Sequence, residues 1–515
     1  MLPSLTITEA HEQLKKRSIS AEELTKACIE RIEKVDDRLN AVVHRNFERA
    51  LEEAKEVDRK GEFDHPLTGI PYLAKDVYCE SGVPTTACSN VLREKTYIPP
   101  FDSTTTRRLK AVGAISLGKT NTDEFTMGAS TETSCYGPTR NPWDVSRVAG
   151  GSSGGSAAGV AADFGLFALG TDTGGSIRQP AGFCGCTGIR TTYGRTSRYG
   201  VMSMASSLDT IGPLAKNIED IALILQAIAG KDERDGTTVD VPVPDYRAAL
   251  TGDVKGLRVG LPKEYFIDGM DPDVEQSVRD AAKQFEELGA TIVDISLPHT
   301  KYATATYYII CPSEVSSNMA RYDGVRYGHG STRPPPSGRT SSTQALEKPK
   351  NLLDYYESVR SEGFGPEVKR RIMIGTYALS AGYVDAYYRQ AQRVRTLIRR
   401  DFEEAFEEVD VILSPVSPTP AFVVGAHTDD PIAMYLEDIF LSSQVLAGIP
   451  ALSVPCGFAR AKPSPEAPAG AKEDDILLPI GLQIMGKQWG EATILKAAHA
   501  YEQATEWRGK KPLLE

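Results

Sequence analysis

The sequence predicts an α/β fold, and three stretches carry that prediction. Asp271 to Gly289 has the apolar spacing of an amphipathic helix, set between strand-like runs at Leu257–Leu261 and Thr291–Ile295, which is a β-α-β rhythm. The run AAGVAADFGLFALG, Ala157 to Gly170, reads as a helix passing into a buried strand. LTGIPYLAKDV, Leu67 to Val77, reads as a short strand followed by a helix over Ser103–Val112 that Gly113 stops.

Taken in order, the first ~60 residues read as helical. Ser20-Ala-Glu-Glu23 is a capping box, in which the serine side chain and the glutamate each satisfy one free N–H of the helix start; Leu24, Cys28, Ile32 and Val35 follow at helical spacing. Glycine and serine are dense from Ala129 to Gly212. Gly328–Lys350 and Ala459–Asp475, rich in Pro, Gly and charge, read as surface insertions, with loop bounds 328–350 and 459–475. No internal repeat is present, and the chain reads as one domain, 1–515, with a core segment at 65–215.

Composition narrows the function. The 515 residues are 41% hydrophobic with a net charge of -11. An acidic chain is poorly suited to bind nucleic acid directly, because phosphate contacts need clustered Lys and Arg. The N-terminus lacks the apolar stretch of a secretory signal, and no apolar run has the ~18 residues of a membrane helix. The eight cysteines form no C-x-x-C pair. They read as reduced, mostly buried thiols of a cytoplasmic protein rather than metal ligands.

GAISLGKT, Gly113 to Thr120, fits the phosphate-loop template G-x-x-x-x-G-K-[ST] letter for letter. The context does not. A phosphate loop follows a strand and opens a helix; here a helix precedes it, and Ala, Ile, Ser and Leu suit a buried strand. The expected structure is helix, glycine cap and core strand, with Lys119 near the strand end.

GGSSGGSAAG, Gly150 to Gly159, and GTDTGGSIRQPAG, Gly170 to Gly182, invite three readings. A flexible linker would not carry the apolar run between them. A nucleophile elbow, G-x-S-x-G with Ser152 as nucleophile, needs a strand immediately before it, and NPWDVSRVA is turn-like. The third reading uses both clusters. Together with GIPYLAKD, Gly69 to Asp76, they make the chain resemble the amidase-signature hydrolases, whose marks are these three segments in this order.

That resemblance implies a large mixed β-sheet core flanked on both faces by α-helices. It implies Ser176 as the acyl-forming nucleophile, Ser152 as a bridging serine after a cis peptide bond, and Lys75 as the base. The chemistry is coherent, since serine needs a base to become nucleophilic and burial lowers a lysine pKa towards neutrality. Thr173, Gly174 and Gly175 are the expected oxyanion-hole residues, glycine letting a substrate oxygen approach the backbone.

Three segments of the second half resemble the glutamine-hydrolysing subunits of tRNA-dependent amidotransferases: Tyr307–Gly328, Ser361–Tyr388 and Met434–Gly457. By that likeness Arg371 pairs with the glutamine α-carboxylate, Asp438 with its α-ammonium, and Tyr307 shapes the pocket. Read alone, Arg371 in the charge run EVKRR and Asp438 would each be solvated helix residues. The likeness also implies B and C partner subunits in a heterotrimer, tRNA held mainly by the B subunit, and conversion of Glu-tRNA(Gln), or in some organisms Asp-tRNA(Asn). ATP and magnesium are then used on the partner, with no cofactor or metal on this chain. A free-standing amidase acting on another small amide is the alternative. GIRTTYGR, Gly188 to Arg195, and MSMASSLD, Met202 to Asp209, depart from the family's usual residues. GKTNTDEFTMG, Gly118 to Gly128, is a recurring family segment.

Overall fold

A computed structural model of the chain describes residues 1–93, 97–328, 350–461 and 477–514. Most of both expected surface loops, 328–350 and 459–475, lies outside the described residues. The described residues hold an 11-stranded mixed sheet. Its strands are β1 (Val42–Arg45), β2 (Pro71–Lys75), β3 (Ile115–Thr120), β4 (Phe167–Asp172), β5 (Thr187–Arg190), β6 (Thr210–Ala215), β7 (Arg258–Pro262), β8 (Thr291–Ile295), β9 (Val411–Pro415), β10 (Ala451–Arg460) and β11 (Leu477–Gly486). The spatial order is β1-β3-β2-β4-β6-β5-β10-β11-β9-β7-β8.

The sheet has two parallel patches joined by an antiparallel middle. β2 runs parallel to β3 and β4, and β7 runs parallel to β8 and β9. β4 through β6, β5, β10, β11 and β9 is antiparallel. Every residue of β2, β3 and β4 is buried, so side chains on both faces are covered, as parallel strands require. The α/β reading is therefore correct, and Thr291–Ile295 is a strand as expected. The intervening helix runs Pro272–Glu287, its start fixed by the Asp271 side chain accepting from the Asp273 N–H. The strand before it, β7, starts one residue later than the expected Leu257.

The N-terminal reading needs one correction. Helices Ile7–Lys15, Ala21–Leu39 and Phe47–Lys60 are present, and the Ser20 capping box forms. Between the last two lies β1, a strand absent from the helical reading. Asn40 takes a left-handed turn at φ 53°, and the Asp36 carboxylate accepts the Ala41 and Val42 N–H groups at 2.7 and 3.3 Å, which ends the helix. The four residues then pair antiparallel with β3. That pairing is a tertiary contact and leaves no local periodicity to read.

The phosphate-loop look-alike folds as the context predicts. The helix Thr104–Ala111 is capped by Ser103, Gly113 turns at φ 78°, and β3 follows, wholly buried. Gly118 has no side chain because the His44 carbonyl of β1 occupies that space. Lys119 is fully buried; its ammonium donates to the Tyr78 carbonyl and lies 3.6 Å from Glu80. A lysine spent on internal partners inside a sheet has no route to a phosphate. Lys119→Ala is expected to destabilise the chain by about 3–5 kcal/mol by stranding the buried Glu80, read by urea denaturation, and to leave ATP binding indistinguishable from the parent in equilibrium dialysis.

Candidate active site

The site forms where the parallel strands β2 and β4 end, the usual position for ligands in open α/β sheets. Lys75 is the last residue of β2 and is fully buried. Its Nζ lies 2.7 Å from Ser152 Oγ, 2.9 Å from Ser153 Oγ and 3.0 Å from Thr171 Oγ1. Burial pulls its pKa down to about 7, against the opposing pull of the Asp123 and Asp172 carboxylates. The Ser153 hydroxyl donates to the Thr171 carbonyl at 3.2 Å, so it accepts from Lys75. The Ser152 and Thr171 hydroxyls are left able to donate when the amine is neutral.

Ser152 follows a cis peptide bond from Gly151. Its loop is held from three directions. Gln179 accepts the Gly151 N–H at 2.9 Å, Thr131 donates to the Gly150 carbonyl at 2.8 Å, and the Asp123 carboxylate fills the space a Gly151 side chain would need. No regular strand directly precedes Ser152, which removes the nucleophile-elbow reading.

Ser176 lies in the turn after β4 and is 7% exposed. The Ser153 N–H donates to the Ser176 carbonyl at 3.1 Å, tying the two serine segments together. The turn is organised by Asp172, whose carboxylate accepts the Gly175 and Ile177 N–H groups at 3.1 and 3.3 Å. Arg178 grips the same carboxylate with two nitrogens at 2.9 and 3.0 Å, and Arg190 adds a third contact at 3.1 Å. Burial alone would raise the Asp172 pKa; the two guanidiniums overcome it and hold the group below the ordinary carboxylate range. Arg190 belongs to the atypical GIRTTYGR segment, and this contact is its structural use.

The three expected oxyanion residues are not equivalent. Gly175, at φ 134° with Leu441 against its α-carbon, spends its N–H on Asp172. The Thr173 hydroxyl donates to Asp209 at 2.7 Å beside a cavity of about 150 Å³ that Thr171 and Thr173 line. At Gly174 the Tyr307 hydroxyl stands 2.6 Å from where a side chain would begin, so Tyr307 borders the serine turn.

Arg371 and Asp438 are not solvated helix residues; both are buried. They meet on one aromatic side chain. The Arg371 guanidinium lies 5.4 Å from the Tyr308 ring centre, and the Tyr308 hydroxyl donates to Asp438 at 3.3 Å. Tyr308 stacks on Tyr435 with centroids 3.9 Å apart, and Tyr307 meets Tyr308 edge-on at 5.0 Å. Glu367 accepts from Arg371 Nε at 2.8 Å and from the Tyr435 hydroxyl at 2.9 Å. Burial pushes Asp438 up to about 8, partly offset by Arg371. The sequence reading missed Ser153, Thr171, Asp172, Tyr308, Tyr435 and Glu367. Two had a visible signal: Asp172 lies within GTDTGGS, and Glu367 sits one helical turn before Arg371.

The Amidase family model matches residues 23–495. The chain belongs to the amidase family. As an amidase it is an amidohydrolase, and the structural likenesses agree with the sheet described above. The A-subunit of glutamyl-tRNA(Gln) amidotransferase from Geobacter metallireducens is 54% identical, covering 98% of each chain. The crystal structure of the A-subunit of the same enzyme from Thermotoga maritima is 36% identical with a TM-score of 0.77, over 100% of this chain and 98% of that one. A bacterial aryl acylamidase of the amidase-signature family superposes with a TM-score of 0.80 at 25% identity, over 98% of this chain and 96% of its own. Among the described residues no helix is long and apolar enough to cross a membrane.

Removing the charge that gathers the serine turn is expected to be costly. Asp172→Asn leaves two buried guanidiniums short of an anion, so a loss of about 3–5 kcal/mol is expected in chemical denaturation.

Proposed function

We propose that this amidase hydrolyses glutamine and passes the ammonia to partner subunits of a tRNA-dependent amidotransferase. The observation that carries the reading is a buried cation and a buried carboxylate sharing Tyr308, next to a serine turn and a lysine of depressed pKa. A free amino acid presents one anion and one cation at fixed separation, and Arg371 and Asp438 offer the complements. The names of the relatives point the same way.

In this mechanism Arg371 pairs with the α-carboxylate, Asp438 with the α-ammonium, and Tyr307 closes the pocket over Gly174. Ser176 Oγ attacks the side-chain amide carbon. Its proton passes to Ser152 as the Ser152 proton passes to neutral Lys75. The oxyanion gathers N–H donors from Thr173 and Gly174, since the Gly175 donor is held by Asp172. Collapse of the tetrahedral adduct breaks the C–N bond, the relay returns a proton to the leaving nitrogen, and ammonia departs. Water, deprotonated by the same relay, then releases glutamate from Ser176.

On this reading the chain works with B and C partner subunits in a heterotrimer in the cytoplasm. The partner holds ATP, magnesium and most of the tRNA, consistent with the net charge of -11 on this chain. Glu-tRNA(Gln) is the proposed substrate of the complex, with Asp-tRNA(Asn) as a second.

The test is glutamine hydrolysis by the chain alone and with the partner subunits, ATP and Glu-tRNA(Gln). Formation of Gln-tRNA(Gln) with a rise in glutaminase activity supports the assignment. Hydrolysis of simple amides in preference to glutamine, indifferent to partners, would indicate a free-standing amidase. Ser176→Ala is expected to abolish hydrolysis, read as ammonia release. Arg371→Ala is expected to raise KM for glutamine at least tenfold, about 1.4 kcal/mol or more of lost binding. The pH profile has a defined sign. Lys75 acts as a neutral base, so activity should fall about tenfold per pH unit below its pKa near 7. Asp438 must be ionised to hold an ammonium, so KM should fall as pH rises towards about 8. A flat profile between pH 6 and 8 would overturn both roles.

A further inference from the structure

The segment Asp123-Glu124-Phe125 touches both halves of the site, and neither the serine relay nor the substrate contacts use it. Asp123 faces the catalytic half. Its carboxylate accepts the Thr131 N–H at 2.9 Å and the Thr133 hydroxyl at 3.0 Å, and it packs against Gly151. Glu124 faces the other way. It is 3% exposed. Its carboxylate accepts the Gly365 N–H at 2.8 Å and the Ser89 hydroxyl at 2.5 Å. Its own N–H donates at 2.9 Å to Thr133, the residue that also donates to Asp123. Phe125 then packs on Phe364 and Tyr322, with centroids 5.9 and 4.5 Å away.

Gly365 is the N-cap of the helix Pro366–Leu379, which carries Glu367 and Arg371. The Gly365 side chain is absent because the Glu124 carboxylate fills its space. No side chain of the helix caps its start, so Glu124 supplies an acceptor there from another part of the chain. Glu124 and Phe125 thus grip two consecutive residues, Gly365 and Phe364, nearly two turns before Arg371.

We infer that Glu124 is a positioning residue for substrate recognition: it fixes the start of the Arg371 helix to the loop that supports Ser152, and so sets the distance between the α-carboxylate anchor and the reacting serine. The inference rests on the proposed role of Arg371. Losing Glu124 lets the helix start shift while the relay of Lys75, Ser152 and Ser176 keeps its own contacts. The defect should therefore appear in recognition of the carboxylate and not in acyl transfer.

The experiment compares glutamine with 4-aminobutanamide, which is glutamine without its α-carboxylate, using the full chain with its partner subunits. Glu124→Ala is expected to raise KM for glutamine at least tenfold with kcat within threefold, and to leave kcat/KM for 4-aminobutanamide unchanged. Glu124→Gln, which keeps an acceptor for the Gly365 N–H, should recover most of the loss. Ser89→Ala removes the hydroxyl that orients Glu124 and should raise KM for glutamine severalfold; it carries the test if Glu124→Ala fails to fold. An unchanged glutamine KM in the folded variants, or an equal loss on both substrates, overturns the positioning role. Arg371→Ala run alongside separates the two ideas. If it too leaves glutamine KM unchanged, the placement of the substrate carboxylate is wrong and the inference falls with it; if it raises KM while Glu124→Ala does not, only the inference falls.

Discussion

The Asp172 carboxylate is fully buried between two guanidiniums, and the surrounding structure is arranged to keep it there. Arg178 and Arg190 supply the charge; the Gly175 and Ile177 amides supply further hydrogen bonds. A buried ion group of this kind is stable only when nearly every lone pair and donor is used. The consequence is reach. Arg190 brings in β5 and the Leu208 carbonyl; Arg178 brings in Gln483 of β11 and the Leu441 carbonyl. The Leu441 N–H in turn donates to the Asp438 carbonyl at 3.0 Å. One carboxylate therefore fixes the turn bearing Ser176 and steadies the turn bearing Asp438.

The same arrangement bears on Lys75. Its low pKa comes from burial, and any free carboxylate nearby would undo it. Asp172 is close enough to act on Lys75, but two arginines offset its charge. Asp123 is the larger opposing influence, and its carboxylate is spent on the Thr131 and Thr133 donors. The neutral amine thus depends on how neighbouring anions are compensated as much as on its own burial. The surrounding hydroxyls add a direction: Ser153 is committed to the Thr171 carbonyl, which leaves Ser152 and the Thr171 hydroxyl as the partners that can donate.

Much of this was legible in the chain. The glycine-serine clusters and the GIPYLAKD strand named the family, and the helix–glycine–strand context of GAISLGKT outweighed its literal match to a phosphate loop. The serine cluster was less complete: Ser153 and Thr171 touch Lys75 about as closely as Ser152 does, and nothing in the spacing distinguishes them. Arg371 and Asp438 read alone as surface charges, because a charge run on a helix looks the same whichever face is covered. Only the packing of Tyr308 and Tyr435 against them shows that they are inside. β1 went unread for a related reason: four residues with no period of their own become a strand through the edge of β3.

The α/β class, the main helix starts, the helix–glycine–strand course of GAISLGKT and the residues that mark an amidase can all be read from the chain as written, because each depends on local periodicity, capping or an unusual run of side chains. Folding alone settles which serines face the lysine, which amide of the glycine turn is already spoken for, and how an arginine and an aspartate far apart in the chain come to share one tyrosine. Those outcomes follow from desolvation and from hydrogen bonds across the fold, quantities that exist only once distant segments are packed together.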